Sequence, residues 1–379
     1  MTAQTGLAPV AIRSSHQTSV TTEVTPEAAR ALPLLFVRWQ LQFTKCSLKC
    51  PYCIAEWTKR PVDFRPDRFQ RIVDRLLEQP YRLVIRLGVE GEIFLSPEIQ
   101  EGVIRLSHHP KVEGISFSTN MMASDDKVAA FLDRADCTKV GMGCTIHDTQ
   151  ITEEQAEGFF RRIEMIQKRG VLVFVGYVAK PDRFEYMRRY KARLDALGVP
   201  FISNEYNGAF EHVPYPEAYT SEDRRELRQF LWTDHYYEML VERKNPKGKP
   251  CLAGHRYIYL GSDGKILACG NDRNLPWTLW QKAAWHLNKQ WPAKIQARRI
   301  RRRQLGNILT DDLRLSDAPR RCPHTSCTCG NEAQAFFQVG GEYHRTRTLR
   351  VIYPKARAAE LEARYPNLKP LEEGAWKRP

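Results

Sequence analysis

From Leu34 onward the chain alternates short apolar runs, rich in β-branched and aromatic residues, with longer stretches whose apolar residues recur at helical spacing. The runs at 34–43, 82–88, 114–118, 139–145, 171–178 and 200–204 predict strands. The stretches between them carry helix punctuation. Pro66 opens a helix over 66–78, Thr152 with Gln155 forms a capping box closed by Gly170, and a third helix over 183–197 stops at Gly198. Strand–helix alternation of this kind predicts an α/β fold with a parallel sheet. Six such units within about 180 residues are too few for a closed eight-stranded barrel.

The flanks read differently. Residues 1–30 are Thr-, Ser-, Ala- and Gln-rich without an apolar period and predict a loose arm. A connector after 205 predicts a helix beginning at Thr220 or Ser221, and Asn245–Pro250 (NPKGKP) breaks the chain. Two β runs in YIYLGSDGKILAC then meet at Asp263-Gly264, a hairpin signal. The expected organisation is an arm over 1–30, a barrel over 31–215, a helical connector over 216–250, a small hairpin-containing domain over 251–345 and a basic tail over 346–379.

Composition narrows the class. With 42% hydrophobic and 27% charged residues the chain reads as globular, and no apolar run approaches the ~18 residues of a membrane span. The N-terminal residues lack the basic start and apolar centre of a secretory signal. Ten cysteines in tight local groups favour metal or redox chemistry over disulfides, and a reducing cytoplasm is the expected compartment. The net charge of +14 is uneven: 273–304 holds nine Lys or Arg and no Asp or Glu, interleaved with Trp277, Trp280, Trp285 and Trp291. That segment reads either as a grip on an anionic partner or as a solvated helix face whose tryptophans pack inward.

Chemistry in parallel βα folds collects at the C-terminal strand ends. The first strand delivers KCSLKCPYC, in which Cys46, Cys50 and Cys53 are spaced C-x3-C-x2-C. Structural zinc is normally closed by four protein ligands, and no fourth stands nearby. A cubane held by three thiolates leaves one iron open to a small ligand. This spacing, with Tyr52 before the last cysteine, resembles the cluster loop of the radical S-adenosylmethionine (SAM) enzymes. The second strand leads into Gly91-Glu92-Ile93-Phe94-Leu95-Ser96-Pro97-Glu98-Ile99, which resembles that family's GGEP turn, with Glu90 in place of the first glycine and Ile93 in place of the proline.

The resemblance implies a partial (β/α)6 barrel. It also implies a 4Fe–4S cluster on Cys46, Cys50 and Cys53 that binds SAM and reductively cleaves it to a 5′-deoxyadenosyl radical. A reductant such as flavodoxin or ferredoxin would supply the electron. Glu90, Gly91 and Glu92 are expected to meet the amino group of SAM, with Tyr52, Thr119, Asn120, Thr145 and His147 as further SAM contacts. Cys137 reads as structural. Cys144, on the fourth strand, is a candidate hydrogen donor to a substrate radical.

Cys251 and Cys269 fall in a C-x12-G-x4-C frame that resembles the opening of the twitch and SPASM domains, which hold auxiliary clusters. Cys322, Cys327 and Cys329 follow. Five cysteines fit one auxiliary 4Fe–4S cluster on Cys251, Cys269 and Cys322 with Cys327 or Cys329; structural zinc on four of these thiols is the alternative. The implied activity is hydrogen abstraction from a small molecule (a sugar, aminocyclitol or nucleotide-linked compound, anionic if the basic segment holds it) for oxidation or epimerisation. Maturation of a ribosomally made peptide is a second reading. A cluster scaffold binding nucleic acid is a third, and it leaves the three-thiol loop and the GGEP-like turn unexplained.

Overall fold

The computed structural model describes residues 25–43, 45–53, 64–230, 241, 245–248, 250–251, 253–272, 294–295, 303–316, 320–325, 338–339 and 342–343. Six parallel strands form its centre: β1 (Leu34–Leu41), β2 (Arg82–Val89), β3 (Val112–Thr119), β4 (Val140–Thr145), β5 (Leu172–Ala179) and β6 (Phe201–Glu205). They neighbour one another in chain order, as right-handed βα units stack. Each lies within two residues of its predicted bounds.

Side-chain alternation sorts the two faces of this sheet. Leu35, Val37, Trp39 and Leu41 of β1 are buried beneath the helices, with Trp39 stacked on Phe69 at 4.8 Å between ring centroids. On β2, Leu83, Ile85 and Leu87 share that face with no exposed surface. The intervening positions, Phe36, Arg38 and Gln40 on β1 with Val84, Arg86 and Gly88 on β2, therefore line the concave side. Parallel strands buried on both faces are normally apolar throughout. Arginine and glutamine at inward positions thus mark a polar lumen.

The helix over Pro66–Glu78 starts at Pro66, and the helix over Glu153–Lys168 carries the Thr152–Gln155 capping box, both as predicted. The helix over Phe184–Ala196 closes before Gly198, whose φ of 65° suits a residue without Cβ. Two helices went unassigned in the sequence, over Pro97–His108 and Asp125–Arg134. Their signals were present. Ser96 caps the first through its hydroxyl with Pro97 behind it, and Ser124 caps the second. At the opposite, N-terminal end of the strands, Arg82 donates to Glu113 at 3.0 Å and to the Leu32 carbonyl, a wholly buried pair that belongs to the stable floor.

The Asp263-Gly264 hairpin forms as expected between Tyr257–Gly261 and Lys265–Leu267. It does not make a sheet of its own. Its first strand runs parallel to β1, Arg38 beside Tyr259, and a further strand over Gln304–Asn307 closes a nine-stranded sheet. Tyr259 consequently extends the lumen wall beyond β1.

Candidate functional site

The strand ends converge on the cysteine loop. Gly91 packs its backbone against that loop, where an added Cβ would lie 2.1 Å from the Phe43 carbonyl oxygen and 2.6 Å from that of Lys45. The neighbouring Glu92 N–H donates to the Lys45 carbonyl at 2.9 Å. The turn after β2 and the loop after β1 are thus one packed unit, and only glycine fits at 91.

Glu92 is 2% exposed. Its Oε1 accepts from the Phe94 N–H (3.1 Å) and the Thr119 hydroxyl (2.7 Å), and its Oε2 accepts from the Asn120 N–H (2.7 Å). Burial pushes this carboxyl above its ordinary pKa, and the three donors partly offset the shift. Glu92 therefore clamps the turn to the end of β3, and Thr119 is spent on that clamp rather than presented to a ligand. Asn120 reaches the loop instead: its Nδ2 lies 3.4 Å from Cys46 Sγ and donates to Ser47 Oγ at 3.2 Å. Glu90 sits on the lumen side, accepting from Gln40 Nε2 at 3.4 Å.

On the far side, His147 Nδ1 lies 3.1 Å from the Tyr52 hydroxyl and 3.4 Å from Cys50 Sγ. The Tyr52 ring stacks on His147 and meets Tyr206 edge-on. Burial lowers the His147 pKa to about 4, so its ring is neutral, and burial raises the Cys50 thiol to about 12. A metal cluster binding here must displace the thiol protons. Tyr52 and His147 brace the loop from β4, while Thr145 lies beside Asn204 across the space left by Gly176.

Cys144 requires a correction. It alternates with Gly143 and Thr145, pairs with Thr119, and falls on the helix-facing side with no exposed surface. Burial pushes its thiol well above the usual range. Cys144 is a core residue, away from the lumen where a substrate radical would form.

The second cysteine set is partly described. A short ladder pairs Cys251 with Arg320, and the Gly248 N–H donates to the Cys322 carbonyl at 2.8 Å. Cys269 Sγ lies 3.4 Å from His324 Nε2, which lies 3.1 Å from Asp272 Oδ1. The contacts with Asp272 and Cys269 raise the His324 pKa to about 9. Cys327 and Cys329 lie outside the described residues, as does most of the basic segment. Arg303, its last arginine, pairs with the buried Asp272 at 2.9 Å while its side chain stays exposed.

Sequence reasoning missed His324, Asp272 and the lumen arginines. The arginines had a signal: FVRWQ and VIRLG each place Arg at an inward position of an apolar strand. No helix among the described residues is long and apolar enough to cross a membrane.

Residues 42–189 match the family model described as Radical SAM superfamily. No curated protein matches the sequence. Among solved structures, the chain is similar to anSMEcpe with bound AdoMet at 17% identity, with a TM-score of 0.47 over 74% of this chain and 76% of that one. It is similar to Streptococcus suis SuiB bound to S-adenosylmethionine at 13% identity and a TM-score of 0.47, over 66% and 64% of the two chains. To BtrN in complex with AdoMet and 2-DOIA the identity is 11% and the TM-score 0.29, over 70% and 86%. The matched segment contains the three-thiol loop, the clamped turn and the strand ends that face them, and it is this part of the chain, 42–189, that is similar to the radical SAM superfamily.

Proposed function

We propose that this enzyme abstracts hydrogen from an anionic small molecule held in the barrel lumen, as a step toward its oxidation or epimerisation. The carrying observation is the pair Arg38 and Arg86. They occupy register partners on adjacent parallel strands, both on the concave face and both partly buried. Arg86 Nη2 donates to Ser118 Oγ at 2.8 Å, which holds its guanidinium across the lumen. Arg38 Nη2 and Gln40 Oε1 lie beside Gly88, below the rim that carries the cysteine loop. Two guanidinium groups from strands ~4.8 Å apart offer a planar, multi-dentate grip for a phosphate or carboxylate.

In this reading Cys46, Cys50 and Cys53 hold the 4Fe–4S cluster, whose chemistry when bound is to deliver one electron to SAM. The remaining residues bind and orient. Glu90 and the backbone around Gly91 offer acceptors to the SAM ammonium, while Thr145 and Asn120 flank the space above. Tyr52 and His147 keep water from the loop on the β4 side. Cys251, Cys269 and Cys322 provide thiolates for an auxiliary cluster, and Cys327 or Cys329 is the sequence's candidate for the fourth.

The test compares phosphorylated sugars, nucleotide-linked sugars and uncharged aminocyclitols for their ability to stimulate release of 5′-deoxyadenosine. Anionic compounds are expected to stimulate it. Arg38→Gln and Arg86→Gln are each expected to raise KM by about 10-fold or more, the worth of a lost charge-assisted bond. Cleavage of SAM without substrate should change little in either variant. Equal stimulation by uncharged compounds, or an unchanged KM in both variants, would overturn the assignment.

A further inference from the structure

We propose that His147, held in place by Asp148, draws the Tyr52 hydroxyl proton away from the Cys50 sulfur and so keeps the cluster on Cys46, Cys50 and Cys53 strongly reducing. This rests on the reading of those three cysteines as cluster ligands. The Tyr52 hydroxyl has one proton to give and two acceptors within reach, His147 Nδ1 at 3.1 Å and the Cys50 sulfur. Sulfur is the weaker acceptor of the two. Thr149 Oγ1 donates to the Tyr52 oxygen at 3.5 Å, so that oxygen already has a donor and its own proton runs on to the imidazole. The order Thr149 to Tyr52 to His147 places the imidazole proton on Nε2, on the far side of the ring from Cys50. Cys50 Sγ lies only 3.4 Å from Nδ1, so the three atoms compete for a single proton.

His147 and Thr149 come from one loop after β4, and Asp148 between them is its anchor. The Asp148 side chain is 5% exposed. Its Oδ2 accepts from the Tyr177 hydroxyl at 3.0 Å and from Arg183 Nε and Nη2 at 3.0 and 2.8 Å. Arg183 is in turn stacked over the Tyr186 ring at 3.7 Å. A buried carboxylate paired this closely ties the loop to β5 and to the turn that follows it. Asp148 acts through its neighbours and is a positioning residue, as His147 is toward Tyr52. Hydrogen bonds to ligand sulfurs raise the potential of an iron–sulfur cluster. Diverting the Tyr52 proton to nitrogen therefore lowers it, the direction that electron delivery to SAM requires.

The experiment is a redox titration of the reconstituted full chain without SAM. It follows the EPR signal that is lost when Cys46, Cys50 and Cys53 are changed to Ala. His147→Phe keeps a ring against Tyr52 and removes Nδ1. It is expected to raise the midpoint potential by about 59 mV, a tenfold change in the one-electron equilibrium. His147→Leu should give the same rise, so that poor iron uptake by one variant leaves the other to decide. Asp148→Asn should move the potential the same way by less. Adding Tyr52→Phe to His147→Phe should bring it back close to the wild-type value, because the donor is gone; a merely structural role for His147 would not be rescued in this way. An unchanged or lower potential in the His147 variants would overturn the proposal, as would a rise that persists in the double variant. A wild-type chain with no EPR signal dependent on the three cysteines would overturn the cluster reading and the proposal with it.

Discussion

Glu92→Ala is expected to raise the Kd for SAM by about 100-fold or more and to lower the melting temperature by several degrees. The carboxylate accepts three hydrogen bonds in a site with 2% exposure. Bonds to a charged acceptor contribute ~1.5–3 kcal/mol each, and a buried donor left without an acceptor costs about 1–3 kcal/mol. Removing the clamp strands the N–H groups of Phe94 and Asn120 and frees the turn from β3. Because Asn120 also reaches Cys46 and Ser47, the disturbance passes directly to the cysteine loop. Glu90→Ala should have the smaller effect on folding and on SAM, since Glu90 is half-buried on the lumen side, whereas Glu92 ties the turn to the end of β3. Calorimetric titration of SAM and thermal melts of both variants check the order. A larger loss from Glu90→Ala would show that direct contact of Glu90 with SAM outweighs the clamp that Glu92 places on the turn.

Gly91→Ala should be nearly as damaging by a different route. Its φ of 154° lies in a region that side-chain-bearing residues rarely adopt, and the new Cβ would meet two backbone carbonyls at 2.1 and 2.6 Å. Backbone atoms cannot yield as a flexible side chain can, so the turn and the cysteine loop must part. The expected outcome is a folded protein, with circular dichroism close to wild type, that retains less than about a tenth of the SAM-dependent activity. Absorbance near 400 nm should report partial loss of the first cluster. Full activity in the alanine variant would mean that the loop and the turn do not act as a unit.

Much of this architecture was legible because parallel strands leave a strong trace. The six strands and the capping box at Thr152 follow from local pattern alone. The helices over Pro97–His108 and Asp125–Arg134 were hidden by other signals. In the first case the residues that begin the helix were absorbed into the GGEP-like motif, although Ser96-Pro97 is an ordinary helix start. Cys144 illustrates a second limit. Sequence places it near a strand end, but only register decides which face it takes, and one residue's shift separates core from lumen. The same alternation, applied to FVRWQ and VIRLG, would have flagged Arg38 and Arg86. Pairing across distance was beyond reach: no local pattern links Asp272 to His324, or commits Arg303 of the basic run to a buried carboxylate.

The central claim is that Cys46, Cys50 and Cys53 hold a cluster that cleaves SAM reductively. Its most direct test is the release of 5′-deoxyadenosine from SAM by the reconstituted protein under dithionite, measured beside the variant with all three cysteines changed to Ala. The account predicts release by the wild-type protein even without substrate, and none by the variant, whose iron content should fall by about four per chain. Equal release by both proteins, or no release from a wild-type protein that carries its full iron, would contradict it.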